Sequence, residues 1–165
     1  MTQAFSIIEV NTPSEFKSAE LLIREYVQWL NFDLSFQQFD AEMAALAAVY
    51  CPPHGRLFLA LMDDQPMGVA GIKKFSGEAC EVKRMFVRPR ARGLGLGQLL
   101  LSACMDAAKA LHYQRINLDS ASFMQSAITL YLANGFKEIP AYRFNPHPEA
   151  RYFELLIDPQ LPSTR

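Results

Sequence analysis

The chain has 165 residues, half of them apolar and 12% aromatic, which fits a single domain over residues 1–165 with a core of its own. With 16 basic against 17 acidic residues and a net charge of −1, general affinity for nucleic acid or an anionic membrane is excluded. No apolar run approaches the ~20 residues of a membrane span, the start MTQAFSIIEV lacks the features of a signal peptide, and three cysteines without a C-x-x-C pair read as free thiols, so a cytoplasmic protein is expected.

Phe5 to Val10 reads as an opening strand. Thr12-Pro13-Ser14-Glu15 is a capping box with Pro at the first helical position, and apolar residues from Phe16 to Leu30 follow at helical spacing. A second helix is expected over much of Ser35 to Val49, closed by Pro52-Pro53. Leu57 to Met62 and Met67 to Phe75, joined by the polar turn Asp63-Asp64-Gln65-Pro66, read as a hairpin, and Cys80 to Val87 as a third strand beside it. A long amphipathic helix follows, with Leu96, Leu99, Leu100, Ala103, Ala107, Ala110 and Leu111 as its apolar positions and Gln98, Ser102, Asp106 and Lys109 on the other face. Arg115 to Asp119 is a strand and Phe123 to Ala133 a short helix ended by Asn134-Gly135. Two last strands are expected around Phe136 to Ile139 and Arg151 to Ile157. The order β-α-α-β-β-β-α-β-α-β-β describes a mixed α/β domain.

The segment from Val87 to Leu101 reads VRPRARGLGLGQLLL. A strand ends, a basic link follows, and Gly93, Gly95 and Gly97 open a helix. Alternating glycines let the backbone approach a ligand closely, and the unpaired N–H groups of a helix start favour anions, so the segment makes a phosphate cradle. Arg92 can add a charge-assisted bond to a phosphate oxygen. A Walker A loop is excluded because no Lys-Ser or Lys-Thr follows the glycines. A dinucleotide loop requires G-x-G-x-x-G directly after the first strand. Here the glycines alternate and three strands come earlier, although Asp119 stands at a distance that suits the ribose acid of that motif. A glycine-rich turn without a ligand is the plainest alternative.

Arg92-Gly93-Leu94-Gly95-Leu96-Gly97 resembles the R/Q-x-x-G-x-G/A signature of the GNAT acetyltransferase superfamily, and Ala127 to Phe136, AITLYLANGF, resembles that family's A-I-x-L-Y-x-x-x-G-F block. The element order from Phe5 to Asp158 agrees with it. Leu118-Asp119-Ser120, Tyr142 and Asn145-Pro146 resemble a bacterial subgroup. The resemblance implies a GNAT acyl-CoA N-acyltransferase fold that uses acetyl-CoA as co-substrate and no metal, and a small-molecule or peptide amine as acceptor. It implies that the pyrophosphate lies on Arg92, Gly93, Leu94, Gly95, Leu96, Gly97 and Gln98. Main-chain groups of Met85, Phe86 and Val87 would pair with the pantetheine arm, and Met124 and Ala127 would face the cofactor. Tyr131 resembles the family tyrosine beside the CoA sulfur, and Glu81 stands where the histone-acetylating branch has its catalytic glutamate. A homodimer is compatible with the family.

The chemistry has a separate footing. Attack of an amine on a thioester passes through a tetrahedral oxyanion, and the departing thiolate gains from a proton donor such as a phenol. Met124, Ala127 and Tyr131 share a helix face, so Tyr131 can point at the cofactor; the alternative is a tyrosine that caps the core. Strand alternation puts Glu81 and Lys83 on one face and Arg84 on the other. Glu81 is then either a base, acting directly or through water, or a surface partner of Lys83, and water or another residue is the alternative base. Arg84 and Arg143 are candidates for a substrate carboxylate, with solvated surface arginines as the default. Met124 replaces a common Asn, and His112 suits a left-handed turn. His54 and His147 lack metal-ligand spacing, and Cys80 and Cys104 read as packing residues. A transferase, a non-catalytic acyl-CoA-binding module and a nucleotide-binding domain are the three readings; Tyr131 argues against the second, and Arg92 with the long basic link disfavours the third. Trp29, Phe36, Phe39 and Tyr50 are expected near the acceptor.

Overall fold

The computed structural model describes residues 2–35 and 38–157. β1 (Phe5–Glu9) leads to α1 (Pro13–Leu30). The Thr12 hydroxyl accepts from the Glu15 amide at 3.2 Å, and the Glu15 carboxylate accepts from the Thr12 amide at 3.0 Å, the expected box. Next come α2 (Phe39–Ala44), α3 (Leu46–Val49), β2 (Arg56–Met62), β3 (Gln65–Lys74) and β4 (Ala79–Val87). A 3-10 turn at Pro89–Ala91 precedes α4 (Leu96–Ala110), and the chain closes with β5 (Arg115–Ala121), α5 (Gln125–Ala133), β6 (Lys137–Ile139) and β7 (Ala150–Leu156). The strands form one mixed sheet in the order β1-β2-β3-β4-β5-β7-β6, antiparallel except for β4 beside β5.

Strand alternation divides the core. Leu57, Leu59, Val69 and Phe86 pack with α1, α2 and α3 on one face. Phe58, Ala60, Ile72 and Val82 pack with α4 and α5 on the other. Two expectations need correction. The second helix is broken at Ala45, whose N–H bonds to the Glu42 carbonyl three residues back at 3.1 Å. That break folds the chain so that the Tyr50 hydroxyl donates to the Glu42 carboxylate at 2.9 Å; residues 36 and 37, with Phe36, lie outside the described residues. On α4 the buried stripe is Leu96, Leu100, Leu101, Cys104, Ala107 and Ala108, while Leu99 is exposed. The helix sits turned toward Leu101 and Ala108 relative to the face read from the sequence. Cys80 and Cys104 are buried free thiols, and burial pushes the Cys80 thiol up to about 12. His112 has φ of 66°, the left-handed turn it suits.

What positions the site is an irregularity in β4. From Gly71 to Val69, β3 takes two steps, while β4 takes three from Lys83 to Phe86. The extra residue is a bulge, and Arg84 occupies it with φ of 61°. Left-handed backbone costs a residue with a Cβ roughly 1–2 kcal/mol. The compensation comes from α2. The Arg84 guanidinium donates from Nε to Glu42 Oε2 at 2.9 Å and from its terminal nitrogen to Oε1 at 3.3 Å, and it lies over the Phe39 ring. Lys73 reaches the same carboxylate at 3.3 Å. Opposite the bulge, Gly71 leaves room for the Tyr50 ring, 2.8 Å from where a Cβ would stand. Beyond the bulge β4 stays with β3. Its pairing with β5 covers only Ala79, Cys80 and Glu81 against Arg115, Ile116 and Asn117, so the sheet opens between β4 and β5.

Glu42→Gln leaves Arg84 buried against a neutral partner. Burial alone would raise the Glu42 pKa, but Arg84, Lys73 and Tyr50 outweigh it and bring it from an ordinary 4.5 down to about 2. A carboxylate depressed in the folded state stabilises fully above its unfolded value and stops doing so as pH falls through its folded one. Urea unfolding at pH 7 is therefore expected to show a loss on the order of 3 kcal/mol in Glu42→Gln, and the difference from wild type should fade between pH 4.5 and about 2. A constant difference across that range would contradict the assignment.

Candidate active site

Two cavities open in the split between β4 and β5, and they share Tyr26, Met85, Met124 and Ala127. The larger, about 550 Å³, runs from β4 to the start of α4. There Gly95, at φ of 88°, is the N-cap, and no side chain caps the helix. The intrahelical ladder begins with Leu99 N–H on the Gly95 carbonyl, so the amides of Leu96, Gly97 and Gln98 precede it and are available to an anion. A Cβ built on Gly93 or Gly95 would meet nothing within 4 Å. These glycines answer a backbone requirement at positive φ and leave the cleft open.

The expected cofactor residues are brought together with one exception. Met85, Phe86, Val87, Arg92, Gly93, Gly95, Leu96, Gly97, Gln98, Met124 and Ala127 all line the larger cleft. The side chain of Leu94 is exposed and Leu94 is not in the lining, because it sits between two left-handed glycines that turn it outward. The Gln98 side chain exchanges hydrogen bonds with Asn134 at 3.0 and 2.9 Å, locking the start of α4 to the end of α5. Arg92 donates from Nε to the Val87 carbonyl at 2.9 Å and stacks over Trp29 at 5.0 Å. Trp29 packs in turn near Phe123, 6.3 Å between ring centres, so aromatic rings from both sides meet over the cleft.

The smaller cavity, about 110 Å³, has Tyr26, Leu30, Phe32 and Leu34 on one side and β4 with β5 as its floor. Tyr131 borders it where the two cavities join, its hydroxyl 3.9 Å from the Met85 sulfur. Burial raises the Tyr131 pKa well above its ordinary 10, so the phenol keeps its proton at neutral pH. Lys83 and Asp119 also line this cavity, with Nζ 3.9 Å from Oδ1 and both side chains almost wholly buried. Asn145 donates to Asp119 Oδ2 at 3.1 Å. His147 enters from the loop before β7; its Nδ1 accepts from the Glu149 amide at 3.1 Å, and its ring lies 4.5 Å from that of Phe32.

Several expectations about charge are corrected here. Glu81 is fully buried and lines neither cavity: it accepts from Tyr142 at 2.7 Å and from Arg143 at 2.6 Å. It is thus buried, not a surface partner of Lys83, and stands behind the cavity walls. Its two partners fasten the segment that carries Asn145 and His147. Arg84 is buried and committed to Glu42, and Arg143, part-buried, is committed to Glu81. Lys83 and Arg84, expected on opposite faces, both reach groups on the α1 side of the sheet, because the bulge adds one residue to the strand. Sequence reasoning missed Lys83, Asp119, Asn145, His147 and Tyr26. The available signal was Asp119, a lone charge inside the otherwise uncharged run Ile116 to Ala121.

Burial is the first cause that brings the Lys83 pKa from 10.5 down to about 8, and the charges of Asp119 and Glu81 hold it from falling further. A pH titration of the lysine ε-methylene NMR signals is expected to show Lys83 moving near pH 8, and lower still in Asp119→Asn. A midpoint near 10.5, or a rise in that variant, would contradict the burial described.

The acetyltransferase (GNAT) family model matches residues 23–136. An uncharacterized N-acetyltransferase of Schizosaccharomyces pombe is 36% identical over 153 residues, covering 91% of this chain and 93% of the relative. Because that relative is eukaryotic, the likeness is not confined to bacteria. Among solved structures, an acetyltransferase from Streptococcus agalactiae superposes with a TM-score of 0.76 at 22% identity, over 93% of this chain and 98% of the other. A putative acetyltransferase from Salmonella typhimurium, solved with its cofactor acetyl-CoA, superposes with a TM-score of 0.69 at 16% identity, over 94% and 95%.

Proposed function

The chain belongs to the acetyltransferase (GNAT) family, and from that premise we propose that it transfers the acetyl group of acetyl-CoA to the primary amine of a small molecule. The observation that carries this reading is the junction of the two cavities at Met85, with the Tyr131 hydroxyl beside it. One cavity is long and ends on an uncapped helix start; the other is small and charged. The Salmonella structure, with acetyl-CoA in the same fold, supports assigning the longer cleft to the co-substrate.

Acetyl-CoA supplies an activated thioester. The amides of Leu96, Gly97 and Gln98 suit its pyrophosphate, with Arg92 alongside. The edge of Met85 to Val87 has no ladder partner in β5, which suits an elongated amide-bearing arm. In the smaller cavity we assign Asp119, not Glu81, to the amine: its carboxylate draws the ammonium and takes one proton, which passes to solvent. The C–N bond forms first, giving a tetrahedral intermediate; its collapse breaks the C–S bond, and Tyr131 gives its proton to the departing sulfur. The second proton lost by nitrogen restores the phenol. Desolvation by Leu30, Phe32 and Leu34 strengthens each of these charge interactions.

Tyr131→Phe keeps the buried ring and removes the donor. Calorimetry is expected to show acetyl-CoA binding unchanged in that variant, while kcat, read by free-thiol release, falls about a hundredfold. In the same calorimeter the Arg92→Ala, Gly95→Asp double variant should lose acetyl-CoA binding, and NAD should bind neither protein. Wild type that ignores acetyl-CoA, or binds NAD instead, would overturn the reading.

A further inference from the structure

The smaller cavity holds an unusual pair of charges. Lys83 Nζ and Asp119 Oδ1 stand 3.9 Å apart on adjacent strands, with side chains 4% and 8% exposed, and both face the cavity. The separation is that of an ion pair and exceeds a hydrogen bond. Two arginines nearby are held by other carboxylates: Arg84 by Glu42 through two hydrogen bonds, and the part-buried Arg143 by Glu81 at 2.6 Å. Burying charge is costly unless it is matched by charge. Of the charged side chains lining the cavity, Arg84 is neutralised from behind by Glu42, which leaves Lys83 and Asp119 as the pair that meets a ligand. A bare amine would engage Asp119 and stand as a second cation beside Lys83. An acceptor that brings its own negative charge avoids that repulsion.

Building on the transfer reading above, we infer that the acceptor is a small apolar α-amino acid, its carboxylate toward Lys83 and its ammonium toward Asp119. The geometry favours the α-amino acid because its two charged groups sit on one carbon and can lie head-to-tail against a cation and an anion on neighbouring strands. Groups spread over a longer chain would lose one contact or the other. The charge of a second carboxylate beside Lys83 also offsets the effect of burial, which depresses its proton affinity. The remaining walls, Tyr26, Leu30, Phe32 and Leu34, offer an apolar and aromatic surface for the side chain, and a volume of about 110 Å³ suits a single residue better than a peptide.

The test uses matched acceptors on the whole protein. L-leucine, L-methionine and L-phenylalanine are each compared with the decarboxylated amine of the same side chain, by free-thiol release and by calorimetric binding to the CoA-loaded protein. Wild type is expected to show kcat/KM at least tenfold higher for the amino acids, and in Lys83→Met that ratio falls toward one. Equal or better use of the decarboxylated amines overturns the proposal and leaves the transferase reading intact. Binding of acetyl-CoA with neither turnover nor saturable binding of any of the three amino acids overturns it as well. Failure of wild type to bind acetyl-CoA removes the transferase reading and the proposal with it. If Lys83→Met does not fold, the wild-type comparison decides alone.

Discussion

The Arg84–Glu42 ion pair is the constraint on which the site depends. Two hydrogen bonds from a guanidinium at the β4 bulge to a carboxylate on α2 hold a non-glycine residue in left-handed backbone. A buried pair of this kind adds little net stability over apolar packing, since desolvation consumes most of the Coulomb gain. Its value here is positional. The extra residue swings the end of β4 away from β5, so that pairing stops at Glu81. Without the bulge, β4 and β5 would continue in parallel, and the space that both cavities occupy would be filled by a regular sheet. Gly71, which admits the Tyr50 ring, and Tyr50, which donates to Glu42, belong to the same arrangement.

Three buried carboxylates then divide the work. Glu42 fixes the bulge. Glu81 fastens the segment before β7 through Tyr142 and Arg143, which brings Asn145 and His147 to the smaller cavity. Asp119 alone of the three faces that cavity, held by Asn145 and balanced by Lys83. Position relative to the split separates them: two carboxylates are held by arginines, and the third lines the cavity, where the proposed transfer uses it. Tyr131 completes the arrangement from the α5 side, its proton retained by burial.

The sequence showed the parts governed by local rules. The Thr12–Glu15 box, the alternating glycines before Leu96 and the Asn134-Gly135 stop each encode backbone geometry within a few residues, and each stands where expected. Eleven of the twelve residues expected to hold the cofactor line one cleft, because a loop and one strand end carry most of them. The remainder was hidden by two long-range effects. The bulge broke the strand alternation that set Arg84 on the face opposite Lys83, while Glu81 and Lys83, ahead of it in regular pairing, share a face as read. Charges that look solvated in a sequence proved buried in pairs separated by 42 residues for Arg84–Glu42 and 62 for Arg143–Glu81. Helix breakage at Ala45 has a similar origin, since Glu42 and Tyr50 on either side of the break meet at the bulge.

The central claim is that the split made by the bulge receives acetyl-CoA along β4 and onto the start of α4. Amide-resolved hydrogen exchange with and without acetyl-CoA tests it most directly. The account predicts new protection confined to Met85, Phe86 and Val87 on β4 and to Leu96, Gly97 and Gln98 on α4. Saturable binding with no change at either segment, or with protection elsewhere, would contradict it.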